Sequence, residues 1–433
     1  MVTDPPQPLE PTHGRWKLLP LTVGTLILAS LGTCVWFSTR QGAAENAFAR
    51  RNFSSARWNA EWSLRIWPSN SKTRIIAGDS YFLDDTLDSV DAATAAISHF
   101  MAVPKDNPQA SAARTKAGRA AFLVLQEPSR AERYFQEAID LDEDNFDAHY
   151  MLWQLYTVTE RFFASEPQFR EAYRLCAERD RPMLLREWYF SQFTPLSASG
   201  QLDFQMGFRS REELPSEEVA LRRLKQFHQY EPDEPNTAAA LAQWHLRNLS
   251  REEAVQVLNG IADLDAAAKS FFYQGTLVET LIEVGQIEQA DEAFAKLEGD
   301  EAGYFLERIK GLHAQEVEGN LEKAEQAYRR AGTIWPGPTD WLLMNRHSRC
   351  LALLGRKEDA DLVNVEAARV EGLTDLEVHR KIRESLTDLN SPENLDEVVK
   401  FYEMFHRRWE ADEWRQLASA LRKNVIHRDG EPR

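Results

Sequence analysis

Gly319 to Pro336 reads GNLEKAEQAYRRAGTIWP, and this stretch decides the fold. Ala324 is followed by Tyr328 four residues on, Ala331 three later and Pro336 five later. At 3.6 residues per turn, Ala324, Tyr328 and Ala331 share one helix face. The alanine lets a neighbouring helix come close, and the residue four later fills the space beside it. Proline stops the helix from running on.

The pattern returns along the chain. Ala56, Ala60, Ser63 and Pro68 carry it, as do Ala92, Ala96, His99 and Pro104, and Ala220, Leu224, Phe227 and Pro232. Ala131, Phe135 and Ala138 have Glu143 in the proline slot, and Ala254 with Leu258, Ala290 with Phe294 and Leu297, and Ala360 with Ala367 match in part. The small leading residues are Ala56, Ala92, Ala131, Ser165, Ala220, Ala254, Ala290, Ala324 and Ala360. Their successive spacings are 36, 39, 34, 55, 34, 36, 34 and 36, so one interval holds an insertion. Each is preceded by a segment with an apolar or small pair and a packing residue three later. Examples are Ala77, Gly78 and Tyr81; Leu152, Trp153 and Tyr156; Leu241, Ala242 and His245; and Leu277, Val278 and Leu281. Gly285, Gly319 and Gly355 fall in the connections. No sustained period-two alternation occurs, so strands are not expected.

These residues resemble the tetratricopeptide repeat family, whose unit is two antiparallel helices with a period of about 34 residues. The resemblance covers residues 42–370 and is strongest over 131–177 and 220–368. It departs from the family in three places: the first-helix tryptophan is mostly missing, Glu143 and Ala177 replace proline, and the period is stretched near 105–130. It implies an all-α solenoid of helical hairpins. The expected layout is a polar tail over 1–17, a transmembrane signal anchor over 18–38 and repeats over 42–181. An irregular aromatic-rich insertion over 182–216, repeats over 217–370 and a helical cap and tail over 371–433 complete it. The cap reads as two amphipathic helices, 374–388 and 393–424, covering the end of the array.

The anchor is read from Leu18 to Phe37, 20 residues without a charge. About 20 apolar residues span a bilayer core. Trp16, just before the run, and Trp36, at its end, sit where interfacial indoles belong, with Arg15 and Lys17 before the run and Arg40 after it. A cleaved signal peptide is the alternative, although its apolar core is shorter, about 7–15 residues. The expectation is a single-pass membrane protein of bacterial type, with residues 40–433 outside the cytoplasm. Asn52-Phe53-Ser54 and Asn248-Leu249-Ser250 are glycosylation triplets, relevant only in a glycosylating pathway.

The composition restricts the chemistry. Asp plus Glu total 68 against 51 Lys plus Arg, a net charge of -17 over 433 residues. Such a balance opposes phosphate-backbone binding, so no nucleic-acid partner is expected. Three cysteines exclude a disulfide framework or an all-cysteine zinc cage. The ten histidines show no metal spacing, and no phosphate-cradling loop or nucleophile elbow is present. Asp140 to Asn145 mimics the start of a calcium loop, but Asn145 replaces the turn glycine and Met151 the closing glutamate. It reads instead as a helix end and turn. Adjacent acids such as Asp84-Asp85 read as solvated faces. No metal, cofactor or catalytic residue is expected, and the chain reads as a non-enzyme.

The resemblance implies that first helices line a concave surface on which peptides or helices are held. Its inward candidates are Tyr150, Gln154, Gln243, Arg247, His313, Asn345 and Arg349. The clamp of Lys, Asn and Arg known for C-terminal carboxylates has no match. Asn345 and Arg349 lie one turn apart, a spacing suited to an acidic or amide group. Trp58, Trp62, Trp67, Trp153, Trp335 and Trp341 fall at packing spacings and read mostly as core. The expected function is a scaffold or adaptor holding a protein or peptide partner, with self-association as a further option. The rival is an accessory subunit of an envelope enzyme or secretion or assembly complex, contacting it through 182–216.

Overall fold

The computed structural model describes residues 19–193, 216–297 and 303–429. The described residues are helical, with short 3-10 and π turns and no strand among them. They fall into two compact units, 1–120 and 121–433.

The first unit holds α1 (Leu19–Ala49), α2 (Phe53–Ile66), α3 (Ser71–Phe82), α4 (Ser89–Met101) and α5 (Ala110–Ala120). α1 pairs with α2 and α3 with α4, each as an antiparallel hairpin. Asn52 and Asn70 cap α2 and α3 by accepting from the backbone N–H of Ser55 and Thr73. These caps satisfy donors that a helix start otherwise leaves unpaired. Ala44, Ala60, Leu64, Ile76 and Ala77 form the core, with Phe48 against it. A Cβ at Gly78 would lie 2.5 Å from the Phe100 ring, so glycine is what lets α3 and α4 close.

The membrane assignment is corrected here. Among the described residues no helix is long and apolar enough to cross a membrane. The single-pass placement, and the extracytoplasmic position of the bulk that followed from it, are therefore withdrawn. Part of the reason lies in the helix itself: α1 does not stop at Phe37 but runs on to Ala49. Its distal half packs into the first hairpin. Phe37 meets Trp67 with ring centroids 5.3 Å apart, Trp36 meets Trp62 at 6.1 Å, and Ala44 is fully buried. The residues read as the far boundary of an anchor are packing residues of α1. Residues 1–18 and the side chains of 19–31 lie outside the described residues.

The second unit opens with a π-helical turn at Ala121–Leu125, then α6 (Pro128–Leu141), α7 (Phe146–Val158), α8 (Phe162–Leu175) and α9 (Arg181–Phe193). It continues with α10 (Ser216–Tyr230), α11 (Pro235–Arg247), α12 (Arg251–Asn259), the short α13 (Asp265–Lys269), α14 (Phe271–Glu283) and α15 (Ile287–Phe294). Then come α16 (Tyr304–Glu316), α17 (Leu321–Ala331), α18 (Trp341–Leu353), α19 (Lys357–Leu373), α20 (Leu376–Ser385), α21 (Pro392–Met404) and α22 (Arg408–Asp429). The hairpins are α7 with α8, α11 with α12, α14 with α15, α16 with α17, α18 with α19 and α21 with α22.

All nine small leading residues of the repeat are buried. Every hairpin turn except that between α3 and α4 holds a residue in the left-handed region. It is glycine at 285, 319 and 355, but Arg51, Glu160, Leu249 and His406 elsewhere. After all seven of these turns the next N–H donates back to the first helix, as from Gln286 to the Leu281 carbonyl at 2.8 Å and from Arg407 to that of Tyr402 at 2.9 Å. This closure satisfies carbonyls at the helix end.

Three expectations change. The segment over 393–424 is not one helix: it breaks at Phe405–Arg407 into α21 and α22, built like the repeat hairpins. Trp58 and Trp67 are about half exposed rather than core, whereas Trp153 and Trp335 are buried. The first part of 182–216 is the regular helix α9, with Leu184, Leu185, Trp188, Tyr189 and Phe190 buried. Residues 194–215 lie outside the described residues. The calcium-like run is the end of α6 and a turn, with Asn145 capping α7 through the N–H of Ala148 at 3.0 Å.

Candidate partner-binding surface

Apart from α21 of the last hairpin, the first helices of the second unit's hairpins are α7, α11, α14, α16 and α18. Six residues before their left-handed turn residue stand Gln154, Gln243, Glu279, His313 and Arg349. Gln243 and Glu279 use this register to meet the next first helix, His313 meets Asp291 of α15, and Gln154 and Arg349 meet no side-chain partner among the described residues.

Gln243 donates to Glu279 at 2.9 Å and to Thr276 at 3.2 Å. Arg308 clasps the same Glu279 with both terminal nitrogens, at 2.7 and 2.6 Å. Burial weakens the charge of Arg308, but Glu279, Tyr304 and Asp340 outweigh it and raise its pKa further. Arg346 and Arg251 both reach Glu283, at 2.6 and 3.0 Å. Burial pushes the Glu283 carboxyl up, and the two arginines overcome it, leaving the pKa below the ordinary value. Arg247 pairs with Glu160 at 2.5 Å. There burial wins, and the Glu160 carboxyl sits above its usual range despite Arg247 and Arg223.

Most of the candidates read from sequence are thus spoken for. Gln243 and Arg247 hold neighbouring parts of the array. Gln154 is fully buried and has no hydrogen-bond partner among the described residues. His313 is buried, stacked on Phe294 with centroids 3.8 Å apart, and its Nε2 lies 2.9 Å from Asp291. Tyr150 is half-buried and donates to Glu187 at 2.9 Å. Besides the buried Gln154, Asn345, half-buried, and Arg349, exposed, make no side-chain hydrogen bond or ion pair with any described residue.

The sequence reading missed Glu279, Glu283, Arg308 and Arg346. Counting back from Gly285, as from Gly319 to His313, finds Glu279. Arg308 and Arg346 carry no such signal, because their role depends on which helix stacks next.

The chain also covers part of this face itself. Phe163, at the start of α8, stacks on Phe305 at 4.9 Å and touches Phe272 at 5.9 Å. Trp335 Nε1–H donates to the Phe162 carbonyl at 3.2 Å. From there α8 and α9 run to the last hairpin. Trp188 stacks on Phe169 at 4.2 Å and donates to Glu410 at 3.2 Å, Tyr173 donates to Glu413 at 2.6 Å, and Tyr402 donates to Gln192 at 3.0 Å. Arg407 lies over the Trp335 ring at 4.3 Å and pairs with Glu166 at 3.2 Å. The aromatic residues of 184–193 are therefore internal glue, not a free contact surface.

No protein-family model and no curated protein matches the chain. Solved structures do. The APC/C hetero-tetramer Cut9-Hcn1 is 12% identical, over 90% of this chain and 87% of that one, with a TM-score of 0.38. A tetratricopeptide repeat protein from Parabacteroides merdae is 10% identical over 73% and 99%, with a TM-score of 0.27. The pilF protein of Pseudomonas aeruginosa is 15% identical over 53% and 93%, with a TM-score of 0.24. In its run of helical hairpins, small leading residues and left-handed turns, the chain has the fold of tetratricopeptide repeat proteins.

Proposed function

We propose that the chain is a non-enzymatic scaffold that holds a protein or peptide partner on the first-helix face of its second unit. The observation that carries this is the uneven use of that face. Over α14 and α16 it is occupied by the chain's own Phe163, while on α18 Arg349 and Leu353 stay uncovered. Leu353 is 58% exposed and Leu342, at the other end of the same helix, 49%. Isolated exposed leucines are ordinary, but two on one stripe with an unpaired arginine between them make a contact surface. The net charge of -17 favours partners that are basic overall, with Arg349 supplying a local exception.

Crosslinking in intact cells followed by recovery of the chain tests this. A recurrent partner in near-equal amount, lost when Asn345 and Arg349 are both alanine, is the expected result. Recovery of the intact chain with no recurrent partner contradicts it.

A further inference from the structure

We infer that the outer side of α18 is a vacant place for one more first-type helix, supplied by a partner protein as an amphipathic helix with a carboxylate in its central turn. The inference rests on the scaffold reading and names the chemistry of its partner.

α14 presents Glu279 and Glu283, six and two residues before Gly285. Helices that come later in the chain answer both: Arg308 of α16 holds Glu279, and Arg346 of α18 holds Glu283. The same offsets before Gly355 fall on Arg349 and Leu353. No later helix answers these among the described residues. Arg349 is exposed without an ion pair, and Leu353 keeps 58% of its surface. The polarity is also reversed: where α14 offers carboxylates to arginines, α18 offers a guanidinium.

A guanidinium presents a flat fork that a carboxylate meets with two hydrogen bonds, so the complementary residue is Asp or Glu. Leu342, Arg349 and Leu353 lie along one helical stripe, which they share with Arg346, already held by Glu283 of α14. At 1.5 Å per residue the two leucines stand about 16 Å apart. The occupant therefore needs about three helical turns, with apolar residues near both ends and an acid between them.

The chain's own α16 supplies a probe, because it already lies against a first helix. Two peptides of residues 304–316 are made, one native and one with Arg308→Glu, and their binding to the full chain is followed by fluorescence anisotropy. The Glu peptide binds the unaltered chain at least tenfold tighter than the native peptide, and Arg349→Glu reverses the order. Thermal unfolding of that variant stays unchanged, since Arg349 has no internal partner to lose. If neither peptide binds, or the preference ignores Arg349→Glu, the inference falls. A concentration-dependent dimer abolished by Arg349→Glu overturns it in favour of a second copy of the chain. If a partner recovered from cells remains bound to Arg349→Glu, the scaffold reading survives and this site does not.

Discussion

At the residue scale the hairpin turns separate what sequence can and cannot reveal. Gly285, Gly319 and Gly355 announce their turns because only glycine takes a left-handed backbone without cost. Arg51, Glu160, Leu249 and His406 take the same conformation silently, held there by the helices on either side. Leu249 is 73% exposed, so its side chain earns little contact in return. Leu249→Gly is expected to stabilise the chain by about 0.5–1 kcal/mol, read as a higher urea midpoint, because it removes the left-handed strain. Gly311 is the opposite case. A Cβ there would meet the Tyr328 ring at 2.5 Å. Gly311→Ala should cost about 1–3 kcal/mol, since a rigid ring fully buried between helices cannot step aside. An unchanged midpoint for Gly311→Ala would mean that the ring has room to move.

At the element scale, packing between helices is set by polar pairs as much as by the small-residue stripe. Glu279 is buried and Arg308 is largely so, the arginine side chain keeping 19% of its surface. Glu279→Leu leaves Arg308 without its counter-charge and should cost about 2–3 kcal/mol, somewhat less than a fully buried pair because some solvent reaches the arginine. Adding Arg308→Met should return most of it. If the single variant is as stable as the double, the pair contributes nothing.

His379 joins α20 to α9 through a 2.7 Å hydrogen bond between its Nδ1 and the Tyr189 hydroxyl. Burial, helped by Arg383, lowers its pKa from 6.5 to about 4. The unfolded chain therefore takes up the proton first on acidification. The contribution of His379 is present above pH 6.5, declines as pH falls, and is gone below about 4. Relative to His379→Phe, the unaltered chain should lose roughly 2–3 kcal/mol between pH 7.5 and 4. Urea denaturation of both proteins at the two pH values checks this, and an equal loss in both would remove His379 from the account.

For the whole molecule, the fold was legible because the repeat is written in small buried residues, and the nine leading positions all pack where a hairpin needs them. The surface was less legible. Whether Gln243 or His313 faces a partner or a neighbouring helix depends on stacking, and stacking is not written at any one position. The aromatic run near Trp188 was ambiguous for the same reason, since a buried seam and a docking loop use the same residues. The apolar run at the start misled because its far end, Trp36 and Phe37, serves the first hairpin.

The most direct test of the scaffold account is amide hydrogen exchange on the chain, alone and with the partner recovered from cells. The account predicts new protection over Trp341–Leu353, with little change over Phe271–Glu283 and Tyr304–Glu316, where Phe163 already lies against the helices. Protection that appears along those two helices, or only in residues 19–120, with Trp341–Leu353 unchanged, would contradict it.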